Sequence, residues 1–174
     1  LQETGASPMV LLALSTGLMA LGRQFAGPMV HRLHAVGVLL VSSIVATLGL
    51  YLLSTATGGM VYVAIVVFAL GVCYFWPSMI GFTSEYLPKT GALGMSLMGG
   101  AGMFAVSLWN PVIGGWIDSS RAVAAKTMTD ASAIELAAGQ ATLSKMVMFP
   151  AVLIVAFGIL FAIRSKLEKG AHTR

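Results

Sequence analysis

Long unbroken runs of apolar residues, with no alternation of apolar and polar positions, organise this chain. Five stand out, at about 8–30, 36–53, 60–82, 92–117 and 146–163. A helix needs about 20 residues to cross the hydrocarbon of a bilayer, whereas a barrel strand needs about 9–11 and alternates. No run alternates, so the pattern predicts an all-α fold, a polytopic bundle of five transmembrane helices forming a single membrane domain over 1–174. Short polar segments separate the runs: the hinge His31-Arg32-Leu33-His34, an uncharged turn at 54–59, and the hinge Glu85-Tyr86-Leu87-Pro88-Lys89. A longer connection at 119–144 and a basic tail at 164–174 complete the chain. Within that connection the stretch from Asp130 to Glu135 predicts a short helix capped by Asp130, lying near the membrane surface.

The five runs differ in kind. The second and fifth are almost wholly Val, Leu, Ile, Ala, Met and Phe, and are expected to face lipid. The third carries small or polar residues at alternating steps of three and four, among them Ala64, Gly71, Tyr74, Ser78, Gly81 and Glu85. The fourth repeats the device with Gly100, Met103, Ser107, Asn110, Gly114 and Asp118. Lipid offers nothing to a hydroxyl or an amide, so both stripes are expected to face protein or a water-filled path. Pro77 and Pro111 are expected to interrupt these two helices, each freeing a carbonyl one turn upstream.

Composition fixes the solvent. Of 174 residues 57% are hydrophobic and only 9% charged, with a mean hydropathy of +0.90. A soluble domain carries roughly 25% charged residues, so a soluble enzyme, a disordered chain and a nucleic-acid binder are excluded and the lipid bilayer is the partner. The net charge of +4 then reads as topology. Arg23, Arg32, Lys89, Arg164, Lys166, Lys169 and Arg174 fall on one side; Arg121, Lys126 and Lys145 fall on the other, with Asp118, Asp130 and Glu135. The bias puts the hinges and the C-terminus in the cytoplasm, with the N-terminus and the connection 119–144 outside. This is the topology expected in a plasma membrane such as the bacterial inner membrane. Cys73 is the only cysteine, so no internal disulfide forms. No basic leader precedes Leu1, so no signal peptide is visible, and without an initiator Met the chain is expected to be a fragment or a processed piece.

The clearest motif is Gly22-Arg23-x-x-x-Gly27-x-x-x-His31-Arg32 at the first hinge. Glycines in a helix entering a tight loop permit close helix approach, and an Arg there can pair with a carboxylate or a helix end across the interface. That favours a gating role over a simple topology anchor. Arg23 lies inside the cytoplasmic end of its span, within snorkelling reach of the interface. Glu85 and Lys89 have the spacing of an i,i+4 ion pair. Asn110, between Trp109 and Pro111, is expected to make an interhelical hydrogen bond sooner than to touch a solute.

Enzyme chemistry finds no footing. Ser96, in Gly94-Met-Ser96-Leu-Met-Gly99, has no His at membrane depth to act as its base. His31-x-x-His34 lacks the third ligand a metal needs, and there is no phosphate-binding Gly-x-x-x-x-Gly-Lys loop. Neither a metal nor a cofactor is expected, and the eleven Met residues read as apolar filler.

Taken in order, the motifs resemble the C-terminal half of the major facilitator superfamily. Gly27-x-x-x-His31-Arg32-x-His34 is similar to the second, degraded copy of that family's Gly-x-x-x-Asp-Arg-x-Gly loop, with His31 where an acidic residue is usual. Glu85-x-x-Pro88-x-x-Gly91 resembles the link between helices ten and eleven, and Pro111-x-x-Gly114-Gly115-Trp116-Ile117-Asp118 the outer end of helix eleven. The resemblance implies a partial major-facilitator-type fold containing helices eight to twelve. Helices one to seven, the N-terminal part of the same protein, would be absent and would be its partner. It also implies that Tyr74 and Ser78, with Cys73, Phe75 and Trp76, line a cavity for a small organic solute. Plain helix packing is an equal expectation for Phe75 and Trp76. No carboxylate lies deep in the five runs, so a coupling-ion site would belong to the absent half.

The function expected is therefore that of a fragment of a secondary active transporter, a permease working by alternating access. Gly22, Arg23, Gly27, His31, Arg32 and Glu85 would form its cytoplasmic gate. Tyr74, Ser78, Phe75, Trp76 and Asn110 are the candidates for the cavity. The alternative is a stand-alone five-helix membrane subunit that packs with a partner protein through its glycine-rich fourth helix.

Overall fold

The computed structural model describes residues 8–24 and 26–172, with side chains described over 9–24, 34–85 and 87–163. Every regular element among them is helical, with no strand. Four helical segments are long and apolar enough to cross a membrane, and a shorter one, Met9–Gln24, joins them.

Helix α1 (Pro8–Gln24) opens on a proline, whose missing N–H has no helical partner at that position anyway. It stops short of the expected 8–30: the next helix, α2 (Ala26–Thr55), already begins at Ala26. The polar hinge foreseen at 31–34 is realised as a break inside α2, where His34 takes φ 57° and ψ 159°. That conformation is normally left to glycine, and the part of α2 long and apolar enough to cross a membrane runs from His34 to Thr55.

The second run was expected to face lipid, yet it is the hub of the bundle. Helix α2 packs on α3 (Met60–Cys73), α4 (Phe75–Tyr86), α6 (Ala131–Met146) and α7 (Met148–His172). It buries Val36, Val38, Leu39, Ala46 and Leu50 together with Ser42 and Ser43. Small residues are the reason. A Cβ on Gly49 would collide with the Phe68 backbone, and one on Gly71 would lie 2.7 Å from the Ala46 Cα. The α2 and α3 backbones therefore touch, a close approach that gains dispersion contact where no hydrophobic drive exists between helices in lipid. The buried hydroxyls cost little, because Ser43 donates to the Leu39 carbonyl at 2.8 Å and Ser54 to that of Tyr51 at 2.7 Å.

Helices α3 and α4 form one rod, Met60–Glu85, broken at Tyr74. The cause is Pro77, which has no N–H for the Cys73 carbonyl one turn earlier. Pro111 behaves differently. Helix α5 (Gly91–Ala124) runs through it for 34 residues, about 50 Å at the usual rise, so the expected interruption there does not occur. A 3-10 turn at Pro88–Thr90 and a left-handed Gly91 (φ 49°) connect α4 to α5.

The connection 119–144 is mostly helix. Residues up to Ala124 extend α5, and α6 begins at Ala131 and runs almost directly into α7. Asp130 caps α6 as expected, its carboxylate accepting from the Ser132 N–H, but the helix is longer than expected, at 16 residues. The turn at Val147 precedes Pro150, the residue that cannot donate to the Met146 carbonyl.

The Ser132 hydroxyl, donating at 2.8 Å, and then its backbone N–H hold the Asp130 carboxyl below the ordinary carboxylate range. A depressed folded-state value means that the cap's contribution is complete above the unfolded value of about 4. It disappears as pH falls through the lower folded-state value. Protection of the Ser132 and Ala133 amides, relative to their intrinsic exchange at each pH, is therefore expected to hold down to about pH 4 and to fall below it; Asp130→Ala is expected to lack this protection at every pH.

The rods alternate in direction. The start of α1 (Leu11), the end of α2 (Leu53, Ala56), the start of α3 (Val61, Ala64) and the end of α6 (Leu143) meet in one apolar cluster at one end of the bundle. Gln140 ties α6 to the same end by donating to the Ala56 carbonyl at 3.2 Å. The opposite end holds Thr83 of α4, whose hydroxyl lies 3.4 Å from the Met98 sulfur of α5.

Candidate functional site

The kink at Tyr74 fans the residues around it in different directions. Cys73 is buried under α1, where a Cβ on Gly22 would lie 2.7 Å from its sulfur and 3.7 Å from the Tyr74 hydroxyl. Gly22, from the expected gate motif, and Cys73 and Tyr74, from the expected cavity set, thus form a single contact. Phe75 points to α7, with its ring centroid 6.4 Å from that of Phe157. Trp76 is 49% exposed and lies on the α5 side, its ring 3.8 Å from where a Cβ on Gly99 would stand. Ser78 is fully buried, and its hydroxyl has no hydrogen-bond partner among the described residues. An orphaned hydroxyl is uncommon inside a protein, and each one calls for an explanation.

Asn110 does not join this group. It sits exposed on α5 and makes no interhelical hydrogen bond among the described residues. The first part of its helix is peripheral: Gly100, Met103, Ser107 and Asn110 of the stripe expected to face protein are exposed, whereas Gly114 is half-buried, and α5 packs on α6 and only lightly on α4. The physical reason is length of contact. Helix α2 carries its small residues where two backbones can touch, whereas Gly100, Gly102, Gly114 and Gly115 have nothing within 4 Å of a built Cβ. The smooth fifth run, now α7, keeps Val152, Val155 and Ile159 outward as its composition suggested.

At the expected gate, Arg23 is exposed at the end of α1, and Gly22 is buried beside Cys73. Gly27, His31 and Arg32 lie outside the residues whose side chains are described. Glu85 and Lys89 are not paired: α4 ends at Tyr86, and Leu87 (φ −129°, ψ 49°) turns the chain before the i,i+4 geometry is reached. Among the described residues the ion pairs all converge on Arg121. Its guanidinium grips Glu135 of α6 in a fork at 2.6 and 2.9 Å and touches Asp118 at 3.2 Å. This clamp between α5 and α6 went unforeseen because its partners are 14 residues apart across a loop. A second unforeseen feature is an aromatic knot in which Trp109 meets Phe149 edge to face at 4.8 Å and Trp116 lies 6.3 Å from both. The i,i+7 spacing of the two tryptophans on one helix face was its only trace in the sequence.

Beside the clamp, an open cleft of about 530 Å³ lies between α5 and α6, with mostly apolar walls. No three His, Cys, Asp or Glu side chains converge among the described residues. No family model, curated protein or solved structure matches the chain.

Proposed function

We propose that this chain is the C-terminal portion of a secondary active transporter of the major facilitator type, carrying a small organic solute across the plasma membrane by alternating access. The observation that carries the reading is the contact of Gly22 with Cys73 and Tyr74. It couples the helix leading into the cytoplasmic hinge to the kinked rod that bears the candidate cavity residues. Three features support it. The motifs at Gly27–Arg32, Glu85–Gly91 and Pro111–Asp118 follow one another in the family's order. The rod is broken at Tyr74, and broken helices beside smooth ones are typical of transporters. The exposed glycine stripe of α5 offers a surface for the remaining helices of the same protein. In this reading Tyr74 and Ser78 meet the solute, Gly22, Arg23, Gly27, His31, Arg32 and Glu85 belong to the inner gate, and the C-terminus is cytoplasmic. No catalytic step or cofactor is involved.

The test combines uptake with the thiol of Cys73, in cells expressing the gene with its native flanking sequence. Radiolabelled hexoses, carboxylates and nucleosides are offered while alkylation of Cys73 by N-ethylmaleimide is followed. One solute class is expected to accumulate, and its presence to change the alkylation rate several-fold as α1 moves over the sulfur. No accumulation of any class, together with a constant alkylation rate, would refute transport. The same exposed face of α5 supports a second reading, a five-helix subunit bound to a separate protein. That reading predicts a constant rate and a stable complex with a different polypeptide.

A further inference from the structure

The cleft between α5 and α6 is separate from the residues assigned above and has its own chemistry. Its walls are Val123 and Ala124 of α5, Ala137 and Ala141 of α6, and Met128 in the turn between them. The two helices run antiparallel, so Ser119, Ser120 and Lys145, which also line the cleft, mark its membrane-proximal end, and the Ser119 hydroxyl is already donated to the Trp116 carbonyl at 3.0 Å. Lys145 is the last charge before the apolar run that begins at Met146.

The charges here are unequally satisfied. Asp118 and Glu135 are both engaged by Arg121. Among the described residues neither the ammonium of Lys145 nor the hydroxyl of Ser120 has a hydrogen-bond or ion-pair partner. Two unpartnered donors at one end of an otherwise apolar cleft complement a ligand with one anionic head and one alkyl tail. The ammonium favours an anionic acceptor at that end, and the apolar surface beyond it favours an alkyl chain over water. The volume of about 530 Å³ suits a single small ligand. A lipid with two acyl chains would overfill it.

We propose that this cleft binds a single-chain anionic amphiphile, a fatty carboxylate. Its head sits on Lys145 and Ser120, and its chain lies along Ala141, Ala137, Val123 and Ala124 towards Met128. The head would then be held at the boundary where the apolar run starts, and the tail would cover side chains that are otherwise open: Val123 is 65% exposed and Met128 40%.

The test uses the full chain in phosphatidylcholine nanodiscs with radiolabelled dodecanoate, against empty discs. Saturable binding above the empty discs is expected, weakened about three- to fivefold in Lys145→Gln, the scale of a charge pair at an exposed site. Uncharged dodecanol is expected to bind the two proteins alike. Ala141→Phe, which fills the cleft, is expected to remove binding of both ligands. Lys145 and Ala141 are exposed, so both variants are expected to keep the parent's helical circular dichroism. Equal dodecanoate affinity in Lys145→Gln, or no excess over empty discs, overturns the proposal. So does displacement of dodecanoate by inorganic phosphate as effective as that by unlabelled dodecanoate, which would make the cleft a bare anion site.

Discussion

Gly71→Leu is expected to leave little folded protein in the membrane, the largest loss of any single substitution considered. A Cβ at this position would run into the Ala46 backbone, and one at Gly49 into that of Phe68. Backbone cannot rotate away as the end of a side chain can, so α2 and α3 would have to separate along their whole contact. Overpacking a core typically costs about 1–3 kcal/mol even when side chains absorb it; here the cost is expected at or above about 3 kcal/mol. Because α2 also carries α4, α6 and α7, the loss would spread through the bundle. The control is Gly114→Leu on α5, where nothing lies within 4 Å. Melting temperature and the monodisperse fraction in detergent decide the matter: Gly71→Leu is expected to collapse both and Gly114→Leu to leave them near the parent. Comparable values for the two variants would mean that α2 and α3 do not meet at these glycines. In the transporter reading Gly114→Leu has a second expected effect, lost uptake by a well-folded protein, because the face it alters would be covered by the remaining helices.

Ser78→Ala is expected to separate stability from function. The hydroxyl of Ser78 is fully buried without a partner among the described residues, and an unsatisfied buried polar group costs about 1–3 kcal/mol. Its removal is therefore expected to stabilise the protein by about 1 kcal/mol and to raise the melting temperature. If the hydroxyl is kept for a solute, the same variant is expected to raise the KM for uptake about tenfold, the worth of one lost hydrogen bond of about 1.4 kcal/mol. A more stable variant with unchanged KM would assign Ser78 to packing alone. A less stable one would show that the hydroxyl is bonded after all.

The sequence could be read furthest where one residue acts on its own neighbours. Run length and low charge led to apolar helices, Asp130 to an N-cap, and Pro77 to a break one turn upstream, because each effect is local to a few backbone bonds. The candidate site was only half legible by the same measure. Residues 73–78 are adjacent in sequence, yet the kink sends Cys73 and Tyr74 to α1, Phe75 to α7, Trp76 towards α5 and Ser78 inward. Proximity along a kinked helix does not make one lining.

Glycine content misled in another way. The stripe on α5 and the pair Gly49 and Gly71 look alike as composition, but only the pair lies where two helix axes cross. Small residues permit contact; they do not say which helix will arrive. The sequence by itself determined that this protein is made of apolar helices, where most of them start and where one bends, since these follow from solvent transfer and backbone hydrogen bonding within a single segment. Only the tertiary structure decided that α2 is the hub and α5 the periphery, that Arg121 clamps Glu135, and that Gly22 closes over Cys73. Those outcomes depend on the mutual fit of surfaces far apart in the chain, which no single segment encodes.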